Sequence, residues 1–345
     1  MSTPDAPAYR ALALQVVCDA VNGDADRAAA RARMAATLDR LERQIKASKG
    51  FIGQDLRLVV LPEYFLTGFP MGESAEAWAD KAALEIDGPE YERLGAIAQA
   101  TGTFIAGNAY ELDPHFPGLY FQACVVVAPT GGVVLRYRRL NSMFAPTPHD
   151  LWDRYLDVYG LDGVFPVART EIGNLAAIAS EEVLYPEIAR CHAMRGAEIF
   201  LHSTSEVGSP ALTPKDVAKR ARAFENTAYV VSANSAGITG TAIPLASTDA
   251  MSKIVDPTGL VLAEAGYGES LAATAEIDLG ALRRLRRRPG MANMLSRQRF
   301  ELFAGSYAAH SFYPANTLDG VPPSRQHFLD TQRAVIERLS RTGVI

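Results

Sequence analysis

The sequence predicts a single α/β domain in which a mixed β-sheet has helices outside it. Short apolar runs typical of buried strands alternate with helical segments along most of the 345 residues. Two pairs of apolar runs are joined by turns too short for a helix, which indicates antiparallel hairpins at the sheet edges. Because no Pro/Ser-rich linker divides the chain before about residue 288, we expect one domain followed by a C-terminal tail.

Apolar runs and capping residues place the individual elements. The predicted strands are residues 11–17, 56–61, 104–107, 122–128, 133–137, 175–179, 198–202, 229–233 and 271–277, with a second hairpin over 254–261. The predicted helices are residues 24–48, 89–100, 186–195 and 213–227, with another beginning at 278. Asp24 and Thr213 are the expected N-caps of two helices, because short polar side chains accept hydrogen bonds from the free N–H groups of a first turn.

Composition and charge argue against several classes of function. Hydrophobic residues make up 48% of the chain, enough for a large core. The 34 basic and 39 acidic residues give a net charge of −5, which disfavours a general nucleic-acid binder. No apolar run reaches the roughly 18 residues of a membrane helix. Cys18, Cys124 and Cys191 lie far apart without a CxxC pattern, and residues 1–10 show no signal peptide, so we expect a cytoplasmic protein.

Three polar residues come directly after apolar strands. Glu63 follows LVVLP, Arg139 follows the strand ending at Tyr137, and Ser180 follows LAAIA. Because ligands of α/β sheets bind beyond the carboxyl ends of the strands, these side chains are expected to converge. Taken singly, each has an ordinary explanation: a carboxylate in water, a surface cation and a small residue at a tight turn. Together they predict a site, because the charges around them lie among apolar residues.

The chain resembles the carbon–nitrogen hydrolase (nitrilase) superfamily over nearly its whole length. The matching stretches are LPEY at 61–64, YRR at 137–139, SEEVLYPEIAR at 180–190, RAFEN at 222–226 and IVDPTG at 254–259. The aliphatic amidase and formamidase branch looks closest, on PHDLW at 148–152 and on residues 186–198. The resemblance implies a four-layer α-β-β-α sandwich over residues 8–288. It also implies a tail over 289–345 in subunit contact, within a homodimer or larger homo-oligomer.

The resemblance further implies catalytic roles. The family uses a Glu, a Lys and a Cys, often with a second Glu. Carried over by position, Glu63 is the general base, Arg139 occupies the lysine position and Ser180 the position of the nucleophilic cysteine, while Asp150 stands at the second glutamate position. The candidate substrate-binding residues are Tyr64, His149, Glu181 and His202.

The replacement of a thiol by the Ser180 hydroxyl changes the chemistry most. Ionising a thiol of pKa about 8.5 at pH 7 costs roughly 2 kcal/mol, whereas an alcohol near the value of water, about 15.7, costs roughly 12 kcal/mol. A base acting during the attack is needed to offset that difference, and Arg139 cannot shuttle a proton as a lysine can. His149 and His202 are candidate bases, although a hydrogen-bonded loop residue and a buried wall residue are the better explanations for them.

Three interpretations fit these residues. The first is an enzyme with a Glu63–Arg139–Ser180 centre acting on a small amide, a nitrile-derived or a related acyl compound. The second is a ligand-binding or scaffold protein that has lost hydrolysis. The third is a deliberate Cys→Ser change at Ser180, against which Arg139 and Asp150 argue, since such a trap needs one substitution. We favour the first, because charges held in an apolar crevice indicate a pocket in use.

The expected partner is a small-molecule substrate or ligand. Neither nucleic acid nor membrane is expected as a partner, and no cofactor and no metal. His149, Asp150 and Asp153 include metal-ligand types, but such polar groups on a loop are usually solvated.

Overall fold

Two six-stranded sheets pack face to face in the computed structural model, which describes residues 7–206, 213–248 and 250–345. Helices cover the outer face of each sheet, so the predicted four-layer α-β-β-α sandwich is confirmed. Residues 1–6, on which the expectation of no signal peptide partly depends, lie outside the described residues. Within the described ranges, no helix is both long and apolar enough to cross a bilayer.

The strands and helices have the following bounds. The strands are β1 Tyr9–Ala13, β2 Val17–Asp19, β3 Leu56–Val60, β4 Phe104–Leu112, β5 Tyr120–Val127, β6 Val133–Arg138, β7 Ala168–Thr170, β8 Gly173–Ala179, β9 Ile199–Thr204, β10 Tyr229–Asn234, β11 Gly237–Thr239, β12 Lys253–Val255, β13 Val261–Glu264 and β14 Thr274–Ile277. The helices are α1 Arg27–Ile52, α2 Ala75–Ala82, α3 Pro89–Thr101, α4 Trp152–Val164, α5 Pro186–Met194, α6 Pro214–Asn226, α7 Leu279–Arg287, α8 Glu301–Ala308 and α9 Arg325–Arg341.

Each large sheet has parallel strands at its centre and antiparallel strands at its edges. The strand orders are β14-β1-β3-β4-β5-β6 and β13-β12-β10-β9-β8-β7, while β11 and β2 form a small separate pair. The trios β1-β3-β4 and β8-β9-β10 are parallel, so their carboxyl ends lie together. Glu63 N–H donates to the Thr204 carbonyl at 3.2 Å, which joins the end of β3 to the end of β9. The site is built at this junction.

Alternating side chains of the two sheets form the inner core. Leu58 and Val60 of β3 pack with Ile199 and Leu201 of β9 in the cluster between the sheets, and all four are buried. The intervening strand residues point outward and pack under the helices, as the period of two along a strand requires. This packing fixes the strand ends from which the site residues project.

Helix capping matches the sequence at one position and differs at another. Thr213 caps α6 as predicted, accepting from Asp216 N–H at 3.2 Å. The N-cap of α1 is Asp26, which accepts from Ala29 N–H at 2.9 Å, so the prediction of Asp24 is wrong. Asp24 instead forms a two-point ion pair with Arg33. Such bidentate pairs are among the stronger hydrogen-bonded contacts of a carboxylate.

The C-terminal tail packs against its own domain. Backbone N–H groups of Asn316 and Leu318 donate to the carbonyls of His149 and Asp150, both at 3.0 Å. Leu318 is buried with aromatic side chains of the loop after β4 and of α4. The boundary near residue 288 and a tail contact with another subunit stay predictions.

Candidate active site

Glu63, Arg139 and Ser180 line one cavity of about 250 Å³ at the carboxyl ends of the strands. We call this cavity the chamber. Its remaining described lining residues are Tyr64, Phe69, Glu181, Ser205, Lys215, Ile238, Ile243, Pro244, Leu245, Ser247 and Thr248. Arg139 and Ser180 follow β6 and β8 directly, and Glu63 follows β3 after a short extended link through Pro62. Residues remote in sequence therefore meet because both sheets end at the same place.

The carboxylate of Glu63 is buried and held by three donors. Its Oε1 accepts from Gln122 Nε2 at 2.6 Å and from Arg139 Nη1 at 3.3 Å. Its Oε2 accepts from the backbone N–H of Ser205 at 3.1 Å. These bonds fix the orientation of a carboxylate that borders the chamber.

Arg139 is a fixed charge. Its guanidinium donates to the Asn141 carbonyl at 2.6 Å, to Gln122 Oε1 at 2.7 Å, and to the carboxylates of Glu63 and Glu181. Burial disfavours the charged form, but Glu63 and the neighbouring anionic groups outweigh it and raise the pKa of Arg139 further. The guanidinium therefore holds its proton and stabilises carboxylates rather than moving protons.

Ser180 is positioned by its main chain. It has a φ of +46°, in the left-handed region, at the start of the 3₁₀ turn Ser180–Leu184. This conformation costs a residue other than glycine about 1–2 kcal/mol. The Ser180 carbonyl lies 2.8 Å from His202 Nε2. The Ser180 hydroxyl has no hydrogen-bond partner in the described part of the chain, so it is available to a ligand in the chamber.

His202 supports Ser180 from behind and does not reach the chamber. It is fully buried, and its Nδ1 lies 2.8 Å from the Ser232 hydroxyl, so both ring nitrogens have partners. Burial, with Lys219 adding to it, lowers the pKa of His202 well below 6.5. His202 is thus not part of the chamber lining, and a contact between His202 and substrate stays a prediction. A strand-end position did not distinguish the chamber wall from the layer behind it.

Asp150 and His149 line a different cavity, of about 390 Å³, with Trp152 and Tyr313. Asp150 Oδ2 accepts from the N–H and hydroxyl of Thr147, at 3.0 and 2.7 Å, and caps the 3₁₀ turn Pro148–Leu151. Its Oδ1 accepts from Thr317 of the tail at 2.6 Å. The structure does not bring these two residues to Glu63, because local capping bonds occupy the Asp150 carboxylate.

Tyr64 and Glu181 do border the chamber, as expected of substrate contacts. Both also line an adjoining cavity of about 200 Å³ that includes Gln122 and Phe144. Arg139 belongs to both cavities and forms its ion pair with Glu181 at the boundary between them.

Two residues that matter at this site were missed from the sequence. Gln122 bridges Glu63 and Arg139, and an amide inside the apolar strand β5 was the available signal. Glu182 accepts from Tyr137, from the N–H groups of Leu140 and Asn141, and from Ala179 N–H, at 2.6–3.1 Å. It thereby ties the end of β8 to the loop that carries Arg139. Burial raises the pKa of Glu182 to about 7 despite these donors.

The described residues include no group of three His, Cys, Asp or Glu side chains arranged to hold a metal ion. The chemistry available in the chamber is that of a buried carboxylate, a fixed guanidinium, an unpartnered hydroxyl and an ammonium group.

The sequence and the fold place this chain among known proteins. The carbon-nitrogen hydrolase family model matches residues 28–287, most of the chain, so the protein belongs to that family. The "Hydrolase in pqqF 5′ region" of Pseudomonas protegens is 34% identical over 183 residues, which cover 53% of this chain and 60% of that relative. An omega-amidase from Xenopus tropicalis is 24% identical over 250 residues, 72% of this chain and 86% of the relative.

Solved structures match the fold over nearly the whole chain. A branch 10 member of the nitrilase superfamily from Saccharomyces cerevisiae superposes with a TM-score of 0.64 at 20% identity, covering 86% of this chain and 98% of its own. An amidase from Nesterenkonia sp. superposes with a TM-score of 0.62, also at 20% identity, covering 88% and 97%.

Proposed function

We propose that this protein hydrolyses the carbon–nitrogen bond of a small amide or related acyl compound in the chamber, with Glu63 as general base. One observation carries the proposal. Glu63 and Ser180 border the same cavity, and the Ser180 hydroxyl has no partner among the described residues. A chamber of about 250 Å³ suits a substrate of a few heavy atoms.

In the proposed reaction a water molecule is the nucleophile. Glu63 removes a proton from the water, whose oxygen attacks the carbonyl carbon. The carbon–nitrogen bond then breaks, and Glu63 returns the proton to the leaving amine. Ser180 donates a hydrogen bond to the substrate carbonyl. Water is about as weak an acid as the Ser180 hydroxyl, so this route also needs Glu63 to accept the proton during the attack, but it forms no ester on Ser180. Arg139 keeps Glu63 in place and balances its charge.

The test compares turnover of small amides, nitriles, esters and formamide by the parent protein and by Glu63→Gln. We expect Glu63→Gln to lower kcat/KM by about 10²–10⁴-fold, because the amide cannot accept the proton. Glu337→Gln, an exposed carboxylate change on α9, is the matched control and should stay within about twofold. Turnover that is unaffected by Glu63→Gln would reject the assignment.

Ser180→Ala separates the water route from a covalent one. The water route predicts a loss of about 10²–10³-fold, the range for removing one donor to a developing oxyanion, with no acyl adduct by mass spectrometry. An adduct on Ser180 in the parent protein would contradict water as the nucleophile while leaving Glu63 as the base.

A ligand-binding protein without hydrolysis is the second candidate. The observation in its favour is that the Arg139 guanidinium is occupied by Glu63, Gln122, Asn141 and Glu181, which leaves it little capacity to bind a reacting group. A ligand that raises Tm without being consumed would support it. The double variant Arg139→Lys, Ser180→Cys is assayed for turnover of the same amides. A gain of amidase turnover would indicate an otherwise intact hydrolase pocket, and no gain would indicate deeper remodelling.

A further inference from the structure

Lys215 is a cation of the chamber that the hydrolytic scheme does not use. It lies in the first turn of α6 and is partly exposed. Neither an ion pair nor a hydrogen bond of its side chain is present in the described part of the chain. An ammonium group left without a carboxylate beside a ligand cavity is available to the ligand.

Three buried cations near Lys215 are all paired with carboxylates. Lys219, one turn further along α6, bonds Glu206 at 3.0 Å and lies 3.7 Å from Asp216. Lys253 contacts Asp216 and Glu264, both at 2.6 Å. Arg139 is shared between Glu63 and Glu181. Lys215 therefore differs from these cations because no carboxylate of the described residues pairs with it.

The charges of the chamber explain what Lys215 adds. Glu63 and Glu181 carry two negative charges and Arg139 one positive charge, so this group alone has a net charge of −1 and repels an anion. Lys215 supplies a positive charge beyond that group. Lys215 and Ser180 line the same chamber, so one bound molecule is expected to contact both residues.

The surroundings of Lys215 suit a small anion with an apolar stem. The polar residues Ser205, Ser247 and Thr248 line the chamber, and Ile238 and Leu245 supply apolar surface. The amino end of α6 adds a positive partial charge on the Lys215 side. We propose that Lys215 binds a carboxylate of the ligand, so that the substrate is a small amide carrying a carboxylate. The amide part of this inference rests on the proposed function.

Succinamate and succinamide are the matched probes. They have the same length and nearly the same shape, but one carries a carboxylate where the other carries a second amide. Binding is measured by calorimetry on the full chain with Ser180→Ala, so that turnover does not interfere. A charge-assisted hydrogen bond is expected to make succinamate bind about 10–100-fold more tightly. Added salt should weaken that preference.

Lys215→Met removes the charge and keeps the length of the side chain. We expect it to weaken succinamate about tenfold or more and succinamide less than about threefold, whereas Lys215→Arg retains the preference. Lys46→Met, at an exposed lysine of α1, is the control and should change neither affinity. The Tm of each variant confirms that the chain still folds.

The outcomes separate this inference from the proposed function. Equal affinities for the two probes, an equal loss of both in Lys215→Met, or no binding of either at about 10 mM would overturn the role of Lys215. A charge preference without hydrolysis by the parent protein would support Lys215 and reject the proposed reaction. Hydrolysis of both probes at equal kcat/KM would support the proposed reaction and reject the role of Lys215.

Discussion

Arg138, the last residue of β6, and Arg139, which follows it, bury two guanidinium groups in different surroundings. Arg138 pairs with Glu111 and Asp113, whose side chains are fully buried, and lies 4.8–5.0 Å from the ring centres of Tyr159 and Phe121. Arg139 also pairs with two carboxylates, but it borders the chamber.

A buried ion pair therefore marks a functional site only where a cavity adjoins it. In both arginines, ion pairs with carboxylates offset the desolvation of the buried charge. Aromatic rings enclose Arg138, so its carboxylates can only stabilise the fold. The carboxylates at Arg139 face a cavity in which water or a ligand can compete for them.

Truncating each arginine tests the comparison most strongly. We expect Arg138→Met to lower the free energy of unfolding by about 3–5 kcal/mol, because it leaves buried carboxylates with too few partners. Arg139→Met should cost about 1–3 kcal/mol, because chamber water can solvate Glu63. Urea unfolding at pH 7 measures both. Equal losses, or a larger loss for Arg139→Met, would break the distinction between the two environments.

His202, which contacts the Ser180 carbonyl, tests whether the layer behind the chamber excludes water as the surroundings of Arg138 do. Because the pKa of His202 lies well below 6.5 in the fold, only the unfolded chain takes up a proton there as the pH falls. The free energy of unfolding is therefore not reduced by His202 above pH 6.5. Below pH 6.5 it falls by up to about 1.4 kcal/mol per pH unit.

His202→Gln should therefore flatten the pH dependence of the free energy of unfolding between pH 6.5 and 5. The comparison is with the parent protein and with His310→Gln, whose ring is exposed in the tail and whose variant should keep the parent slope. Identical slopes for all three proteins would mean that His202 reaches solvent.

The smallest expected effect concerns the backbone of Ser180. Ser180→Gly relieves about 1–2 kcal/mol of left-handed strain, and the greater freedom of glycine in the unfolded chain offsets about 0.5–1 kcal/mol. We expect a net gain of about 0.5–1 kcal/mol with loss of activity. Ser306→Gly in the exposed helix α8 should instead lose about 0.5–1 kcal/mol. A loss at Ser180 as well would indicate that its hydroxyl contributes to stability.

Local patterns predicted most of the fold. The hairpin β5–β6 and the Thr213 cap depend on neighbours in sequence, so apolar alternation and turn chemistry were sufficient. Helix α2 was missed because only Trp78 and Ala82 are buried in it, which leaves little periodic signal. Strand β4 is longer than predicted, because pairing with β5 extends it through Glu111, a charged residue that propensity disfavours in strands.

The site was harder to predict, because its members meet only through the packing of the two sheets. Strand ends led to Glu63, Arg139 and Ser180, yet the same rule placed His202 one layer too far forward. Lys215 follows the N-cap of α6 in a helix with several basic residues, so the sequence does not distinguish it from a solvated lysine. The structure distinguishes it from Lys219, because Lys215 lines the cavity whereas Lys219 is buried and paired with carboxylates.

The way Ser180 is held has an evolutionary consequence. Its carbonyl is hydrogen-bonded to His202 and its backbone has a φ of +46°. Its side-chain oxygen, in contrast, has no hydrogen bond to the described part of the chain. The atom presented at this position can thus be exchanged between oxygen and sulfur with little change in the surrounding scaffold. Reaction chemistry at this point of the fold is free to diverge faster than the architecture that supports it.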